Sequence, residues 1–211
     1  MGVHEHRRMA RIDYISSDFS SYIVQAQASG ADVIALANSG TDTTNSVEQA
    51  IEFGVGPDKT KLVALLAFIT QFKSLGLDRA KGLLLTESFY WDLNDETRAW
   101  SKPLGERFGG RMPSMAQAAV DSGVSHYVKA MAAAGTRDGR VVADKMRELP
   151  VNDFMMKNRR ARKDGRIVHD FYLFDVKAPE ESKGPWDLYK LIRTIPAADV
   201  TAPDGSTGCP F

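Results

Sequence analysis

Three short, nearly continuous apolar runs constrain the fold of this chain more than any other sequence feature. They occupy residues 32–37, 61–66 and 81–86. Runs of this length without polar alternation are typical of strands that are buried on both faces, as in parallel sheets. Amphipathic helix patterns accompany the runs, so the sequence predicts an α/β fold with a parallel sheet.

The helix patterns are bounded by capping and stop residues. The first covers residues 19–26, where apolar side chains recur at i, i+3, i+4 and i+7, between a predicted N-cap at Asp18 and a stop at Gly30. The second ends before Gly54. The first third of the chain therefore alternates between helix and strand.

The sequence pattern changes after the third run. Asn94 is a predicted N-cap of a helix in which Pro103 removes one hydrogen bond, so we expect a kink or a break there. A long helix is predicted from Pro113 to about Ala134, and a further one is predicted after a cap at Asp138.

The last third of the chain contains turn and strand patterns. Asp164 and Gly165 form a hairpin turn signal, and strands are predicted within residues 166–177 and over residues 189–195. From Ala197 the chain is rich in Pro, Gly, Ser and Thr, which predicts a loose tail.

Charge and cysteine content exclude several classes of protein. The 211 residues carry 27 Lys and Arg against 27 Asp and Glu, so the chain lacks the basic excess of proteins that bind the nucleic-acid backbone. The longest apolar run, residues 62–69, is too short to span a bilayer. Cys209 is the single cysteine, which excludes a disulfide within the chain and a thiolate metal site. Residues 1–10 lack the hydrophobic stretch of a secretory signal.

None of the candidate catalytic or metal motifs is complete. Lys59 and Thr60 lack the preceding glycine of a phosphate-binding loop, and the segment around Ser125 lacks the full G-x-S-x-G pattern of a nucleophile elbow. The histidines have no spacing typical of a metal site; they are His4, His6, His126 and His169. We therefore predict no catalytic residue, no cofactor and no metal ligand.

Two charged clusters allow alternative interpretations. Residues 157–163 are strongly basic and could form a nucleic-acid or anionic-surface patch, but they lack interleaved aromatic residues, which favours a solvated loop. Acidic residues between positions 87 and 96 could act as paired carboxylates. Asp95 and Glu96 more simply favour a helix N-terminus through its dipole.

One group of residues remains a candidate binding site. Ligands of open α/β sheets bind beyond the carboxyl ends of the strands, so the residues that follow the three runs are expected to share one edge of the sheet. They mix hydroxyl, amide and aromatic groups, as small-molecule pockets do. The candidate residues are Asn38, Ser39, Gly40, Thr41, Ala67, Phe68, Thr70, Tyr90 and Trp91.

The chemistry of this edge favours binding over catalysis. The helix predicted near Thr43 starts there, so its N-terminal N–H groups could receive a carboxylate. The edge offers no pairing of a nucleophile with a base. The alternative is that these residues are ordinary loop and capping residues.

Six segments of the chain resemble one protein family. They are residues 18–38, 80–102, 149–158, 164–166, 169–174 and 182–187. In these segments the chain resembles the type I periplasmic solute-binding proteins of ABC importers, in particular the branched-chain amino-acid-binding proteins. The likeness is to the C-terminal portion of these proteins. Relatives are considerably longer than this chain.

The resemblance implies part of a two-lobed α/β protein. It implies the parallel doubly wound sheet of one lobe, with helices and strands that belong to an incomplete second lobe. The expected segments are a poorly matched start at residues 1–17, a ligand-binding C-terminal-lobe core at 18–92, helices of the incomplete N-terminal lobe with the crossover at 93–155, and a hairpin, returning strands and tail at 156–211. The helices after Pro113 are expected to expose apolar faces, which favours self-association.

The resemblance also implies a function without enzyme activity. Such receptors close on a small amino-acid-like or carboxylate-bearing solute, including aromatic acids, and present the closed form to ABC permease subunits. It implies a periplasmic location, although this N-terminus has no signal peptide, and no nucleic-acid partner. It also implies solute contacts from strand-end loops, at the positions that match Asn38, Ser39, Gly40, Ala67 and Phe68, with Tyr90 near the crossover. The alternatives are a ligand-sensing domain of a regulatory protein and a nonfunctional fragment.

Overall fold

The structure, a computed structural model, describes residues 9–11, 17–57, 59–203 and 206. The predictions on His4, His6 and Cys209 lie outside these residues. The strands are β1 Val33–Leu36, β2 Lys61–Ala64, β3 Leu84–Glu87, β4 Phe171–Val176 and β5 Tyr189–Ile195. The helices are α1 Ser20–Ala28, α2 Thr41–Glu52, α3 Ile69–Leu75, α4 Leu77–Ala80, α5 Asp95–Arg107, α6 Met115–Ala134, α7 Gly139–Glu148 and α8 Ala197–Val200, with a 3-10 turn at Pro179–Glu181.

The first three strands are parallel neighbours in a five-stranded sheet of order β1-β2-β3-β4-β5. Leu36 pairs with Ala64 between β1 and β2, and Val63 pairs with Leu84 between β2 and β3. Helix α2 connects the first two strands, while α3 and α4 connect the second and third. The predicted α/β fold with parallel β1–β3 is therefore confirmed, and the carboxyl ends of these strands share one edge.

Strand β4 runs antiparallel to both β3 and β5, and a long excursion of the chain lies between β3 and β4. Glu87 of β3 pairs with Tyr172 of β4, and Phe171 of β4 pairs with Ile195 of β5. The chain leaves the sheet after β3 and returns at β4. We call residues 17–87 and 171–203 the sheet unit and residues 94–170 the helical unit; residues 88–93 are the connecting segment.

The core of the sheet unit lies between the sheet and helices α1–α4. Alternate strand residues point into it because successive side chains of a strand face opposite sides of the sheet. The buried core residues include Phe19, Ile23, Val47, Ala50, Leu62, Ala64, Phe72, Leu85, Phe174 and Val176. Burial of these apolar side chains is the main term that stabilises the unit.

Strand β1 is not buried on both faces, so that prediction is wrong. Val33 is 52% exposed and Ala35 is exposed, while Ile34 and Leu36 pack against the core. The reason is that no element of the described residues covers the face on which Val33 and Ala35 lie. An apolar run does not report which faces of its strand other elements cover.

Helix α5 is continuous through Pro103, so of the expected kink or break the break does not occur. Asn94 caps the helix as predicted, because its side-chain oxygen accepts a hydrogen bond of 3.0 Å from the Thr97 backbone N–H. Pro103 lies on the exposed side of α5. The carbonyl of Ala99, which loses its helical partner to the proline, is on an exposed residue and can bond to water.

Helices α6 and α7 pack together in the helical unit. Every fourth residue of α6 is buried along one side, namely Ala118, Ser122, His126 and Ala130. Asp138 caps α7 by accepting hydrogen bonds of 3.0 Å from the backbone N–H groups of Arg140 and Val141. The predicted starts of both helices therefore lie within two residues of the observed ones.

The opposite side of α6 is apolar and exposed, as expected. Val120 is 65% exposed, and Val124 and Val128 continue the same stripe at intervals of four residues. Tyr127 of α6 and Val141 of α7 are also exposed. The described chain therefore presents an uncovered apolar helix face.

The chain after β5 is less loose than predicted. Residues Ala197–Val200 form the short helix α8, and Ala197 is buried. Its backbone N–H donates a hydrogen bond of 3.0 Å to Asp170 Oδ1. This contact fixes the start of the predicted tail against the beginning of β4.

Candidate functional site

The loops that follow β1 and β2 meet at the edge of the sheet. Gln71, in the first turn of α3, contacts both loops through its side-chain amide. Its Oε1 accepts a hydrogen bond of 2.5 Å from the Phe68 backbone N–H, and its Nε2 donates one of 2.8 Å to the Gly40 carbonyl. The structure thus brings together two of the three predicted strand ends.

Asn38 uses its side chain to build the start of α2. Its Nδ2 donates hydrogen bonds to Ser46 Oγ at 2.7 Å and to the Asp42 carbonyl at 3.2 Å. Its Oδ1 accepts a hydrogen bond of 3.1 Å from the Thr43 hydroxyl. With its amide engaged on both sides, Asn38 shapes the edge and does not offer a free group to it.

Gly40 allows the chain to turn into α2. Its φ of 65° and ψ of −137° fall in a region that only glycine adopts without strain. The adjacent Thr41 is exposed at the first position of the 12-residue helix. The positive end of the α2 dipole therefore opens onto this edge.

The remaining residues of the edge offer hydroxyl and apolar groups. Ser39 is half-buried, and its hydroxyl makes no hydrogen bond within the described residues. Phe68 is half-buried and Thr70 is exposed at the start of α3, while Ala67 is buried beneath them. The combination can hold a small solute that has both an apolar part and an anionic part.

Tyr90 and Trp91 lie in the connecting segment, and their polar groups bond to the chain before β5. Tyr90 is 5% exposed; its hydroxyl donates to the Trp186 carbonyl at 3.3 Å and accepts from the Leu188 N–H at 3.1 Å. Trp91 Nε1 also donates to the Trp186 carbonyl, at 2.8 Å. In this structure the hydroxyl of Tyr90 is engaged in hydrogen bonds to residues 186 and 188.

A buried carboxyl group lies at the end of β3, directly before the connecting segment. Glu87 is 1% exposed, and its Oε1 accepts a hydrogen bond of 3.0 Å from the Tyr189 hydroxyl. Burial raises the pKa of Glu87 to about 8, while the hydrogen bonds from Tyr189 and from the Met115 backbone N–H oppose that rise. Burial and the nearby Glu87 also raise the pKa of Tyr189.

The charged clusters of the sequence resolve into separate ion pairs. In the basic run, Lys157 pairs with Glu96 at 2.8 Å and Arg159 pairs with Asp170 at 3.0 Å. Arg98 bonds to both Asp92 and Asp95. These pairs agree with the interpretation of the basic run as a loop. The ion pairs of Asp92, Asp95 and Glu96 do not include Glu87.

Polar side chains hold the helical unit together. Ser122 donates to Asp153 Oδ2 at 2.5 Å, and His126 Nε2 lies 2.9 Å from the Met146 carbonyl. Trp100 stacks on Phe154 with ring centroids 4.0 Å apart. Trp100 also donates from Nε1 to Asp121 Oδ2 at 3.0 Å. Through His126 and Met146 the contacts join α6 to α7, and through Ser122 and Asp153 they join α6 to the segment after α7.

Neither a metal site nor a membrane-spanning helix is found in the described part of the chain. No group of three or more His, Cys, Asp and Glu side chains there could hold a metal ion. None of the helices in those residues combines the length and apolar character needed to cross a bilayer.

Comparison with known families decides the assignment. The family model described as periplasmic binding protein matches residues 9–185. The chain belongs to the periplasmic binding protein family. The resemblance based on the sequence motifs is thereby confirmed, and the family is one of solute-binding proteins.

Solved structures of periplasmic binding proteins share this fold. A periplasmic binding protein from Burkholderia mallei has 42% sequence identity and a TM-score of 0.83, and the match covers 90% of this chain and 50% of that one. A branched-chain amino acid ABC transporter ligand-binding protein from Burkholderia xenovorans has 35% identity and a TM-score of 0.82, with 92% and 52% covered. An R. palustris solute-binding protein in complex with 4-hydroxybenzoate has 21% identity, a TM-score of 0.74 and 89% and 51% covered, and shows likeness of fold alone.

The chain spans about half the length of these periplasmic binding proteins. Comparison with the curated proteins found no match. The structural matches cover 89% to 92% of this chain and 50% to 52% of the relatives.

Sequence reasoning missed Gln71, Trp186 and Tyr189. The partners of these side chains lie far away in sequence, and no local pattern reports such contacts. Gln71 did carry a signal, since a glutamine at the third position of a helix can bond back to the N-cap residue. Its second contact, with Gly40 in another loop, required the structure.

Proposed function

We propose that this chain is the solute-binding component of an ABC importer and that it binds a small amino-acid-like or carboxylate-bearing solute. The observation that carries the proposal is the edge itself, where the start of α2 and the start of α3 lie side by side, joined through Gln71. The solute carboxylate lies at the N-terminal end of α2, near Thr41. Helix N-termini bind anions because their N–H groups and the helix dipole both favour negative charge.

We choose the candidate contacts by two criteria, which are the exposure of the side chain and the absence of a hydrogen bond within the described residues. Ser39 and Thr70 supply hydroxyls, and Phe68 supplies an apolar surface for the solute's side chain. Asn38 and Ala67 support these residues from behind. Tyr90 and Trp91 contribute by fixing the junction from which the helical unit departs.

The relatives support the solute class. The Burkholderia xenovorans protein, at 35% identity, belongs to a branched-chain amino acid transporter, and a Pseudomonas fluorescens protein at 27% identity belongs to an amino acid transporter. We propose accordingly a periplasmic location, a membrane permease as the partner and no catalytic activity. The chain is about half as long as these relatives, and it carries the α2 and α3 starts on which the proposal rests.

Titration calorimetry and native mass spectrometry on the purified chain test this function. The solutes are leucine, phenylalanine and 4-hydroxybenzoate. We expect saturable binding of one of them, weakened about tenfold in Ser39→Ala and Thr70→Ala, a factor typical for the loss of one hydrogen bond to a charged group. Ser74→Ala, which changes an exposed hydroxyl in the same helix as Thr70, is the matched control. No binding of any of the three solutes, or equal loss in the control, would contradict the proposal.

A further inference from the structure

The Gln71 side chain forms a direct hydrogen-bonded link between the two loops of the candidate edge. It lies in the first turn of α3, whose N-cap is Phe68. The amide oxygen is used within its own loop, on the Phe68 N–H, and the amide nitrogen is used across the gap, on the Gly40 carbonyl. Gln71 and Gly40 are 31 residues apart in sequence.

The position of Gly40 makes this link specific. The backbone of Gly40 has the φ of 65° that other residues rarely adopt, and its carbonyl also accepts from the Thr44 N–H at 3.4 Å. The Gly40 carbonyl thus accepts hydrogen bonds both from the Thr44 N–H, in the first turn of α2, and from the Gln71 side chain of α3. A shift of the Gln71 amide therefore acts on the start of α2, where the proposed solute carboxylate lies.

We propose that Gln71 is a positioning residue of the solute site, which holds the β1 and β2 loops in register without itself contacting the solute. The inference rests on the proposed function for the location of the solute. The competing explanation is a simple helix cap, because the Phe68 contact alone satisfies the start of α3. Only the contact with Gly40 separates the two explanations.

Gln71→Glu distinguishes them. The glutamate keeps an oxygen for the Phe68 N–H, and its negative charge suits a helix N-terminus, so α3 retains its cap. It loses the N–H that bonds to Gly40 and places a second oxygen against that carbonyl. The matched control is Gln49→Glu, because Gln49 of α2 also accepts from a backbone N–H, that of Phe19 at 2.7 Å, and donates to a carbonyl, that of Ser17 at 2.9 Å.

Hydrogen–deuterium exchange followed by mass spectrometry measures the link without any solute. In Gln71→Glu we expect amides of residues 41–46 to exchange about fivefold faster, the factor produced by losing one typical hydrogen bond, while residues 69–75 keep their protection. Gln49→Glu should leave residues 41–46 unchanged. Unchanged exchange at residues 41–46 in Gln71→Glu would overturn the proposal.

Calorimetry with leucine, phenylalanine and 4-hydroxybenzoate then measures the consequence for the site. The affinity for the solute that binds should fall about fivefold in Gln71→Glu and stay constant in Gln49→Glu. Equal affinity in wild type and Gln71→Glu would overturn the positioning role. If the wild type binds none of the three solutes, the proposed function fails, and the exchange experiment still decides whether Gln71 links the loops.

Discussion

The Tyr189 hydroxyl donates a hydrogen bond of 3.0 Å to the Glu87 carboxyl group, and both side chains are almost completely buried. The contact joins the end of β3 to the start of β5. The Met115 backbone N–H, at the first residue of α6, lowers the pKa of the same carboxyl group. One acidic side chain therefore joins two strands of the sheet unit beside the start of the longest helix of the helical unit.

The free energy of unfolding is expected to decrease as pH rises, because of Glu87. Its pKa rises from 4.5 to about 8 on folding, chiefly through burial. Between these values the folded chain keeps a proton that the unfolded chain releases, so the free energy of unfolding falls as pH rises, by up to about 1.4 kcal/mol per pH unit. Urea unfolding at intervals from pH 5 to pH 8 measures this slope.

Glu87→Gln should remove that part of the slope, because glutamine does not titrate and keeps an oxygen for the Tyr189 hydroxyl. Glu52→Gln, which changes an exposed glutamate at the end of α2, is the control and should follow the wild-type curve. Parallel stability curves for wild type and Glu87→Gln would show that Glu87 does not keep its proton in the folded chain.

Tyr189→Phe is expected to destabilise the chain by about 1–3 kcal/mol, the cost of leaving a buried acceptor without its donor. The hydrogen bond from Tyr189 lowers the pKa of Glu87, so its loss should raise that pKa further. Chemical denaturation at pH 6 and pH 8 measures both effects. Tyr172→Phe removes a hydroxyl that makes no hydrogen bond within the described residues, and a cost in this control as large as that of Tyr189→Phe would refute the argument.

Gly40→Ala is expected to destabilise the chain by about 1–3 kcal/mol, the usual cost of a side chain held in a glycine-only conformation. An added Cβ would meet no atom within 4 Å, so the cost comes from the backbone at φ 65°. Gly123→Ala in the interior of α6 also meets no atom, yet it should stabilise by up to about 1 kcal/mol because alanine favours helix. Thermal unfolding should show a lower melting temperature for Gly40→Ala and a higher one for Gly123→Ala than for the wild type.

The exposed face of α6 is expected to drive self-association of the chain. Val120, Val124 and Val128 form an apolar stripe that a second copy can cover. Sedimentation velocity at increasing protein concentration should show oligomers of the wild type and monomers of Val124→Lys. Val24→Lys changes a valine of similar exposure on α1 and should associate like the wild type. Wild-type protein that stays monomeric at every concentration would contradict this expectation.

The sequence predicted the positions of helices and strands better than their burial and their long-range contacts. Strand β5 was predicted over the residues it occupies, because its alternation and flanking signals are local. The burial of β1 was wrong because its outer face depends on what else covers the sheet. Likewise, Gln71 and Gly40 or Glu87 and Tyr189 meet across 31 and 102 positions of the chain, and no local pattern encodes such pairs.

Residues 88–170 depart from and return to two strands that are direct neighbours, since Glu87 pairs with Tyr172. The two points of attachment are one strand spacing apart, about 5 Å. Helix α6 starts beside Glu87, at Met115, and its 20 residues make it roughly 30 Å long. For a helix of this length, a rotation of about 10° about its first residue would displace its last residue, Ala134, by about 5 Å.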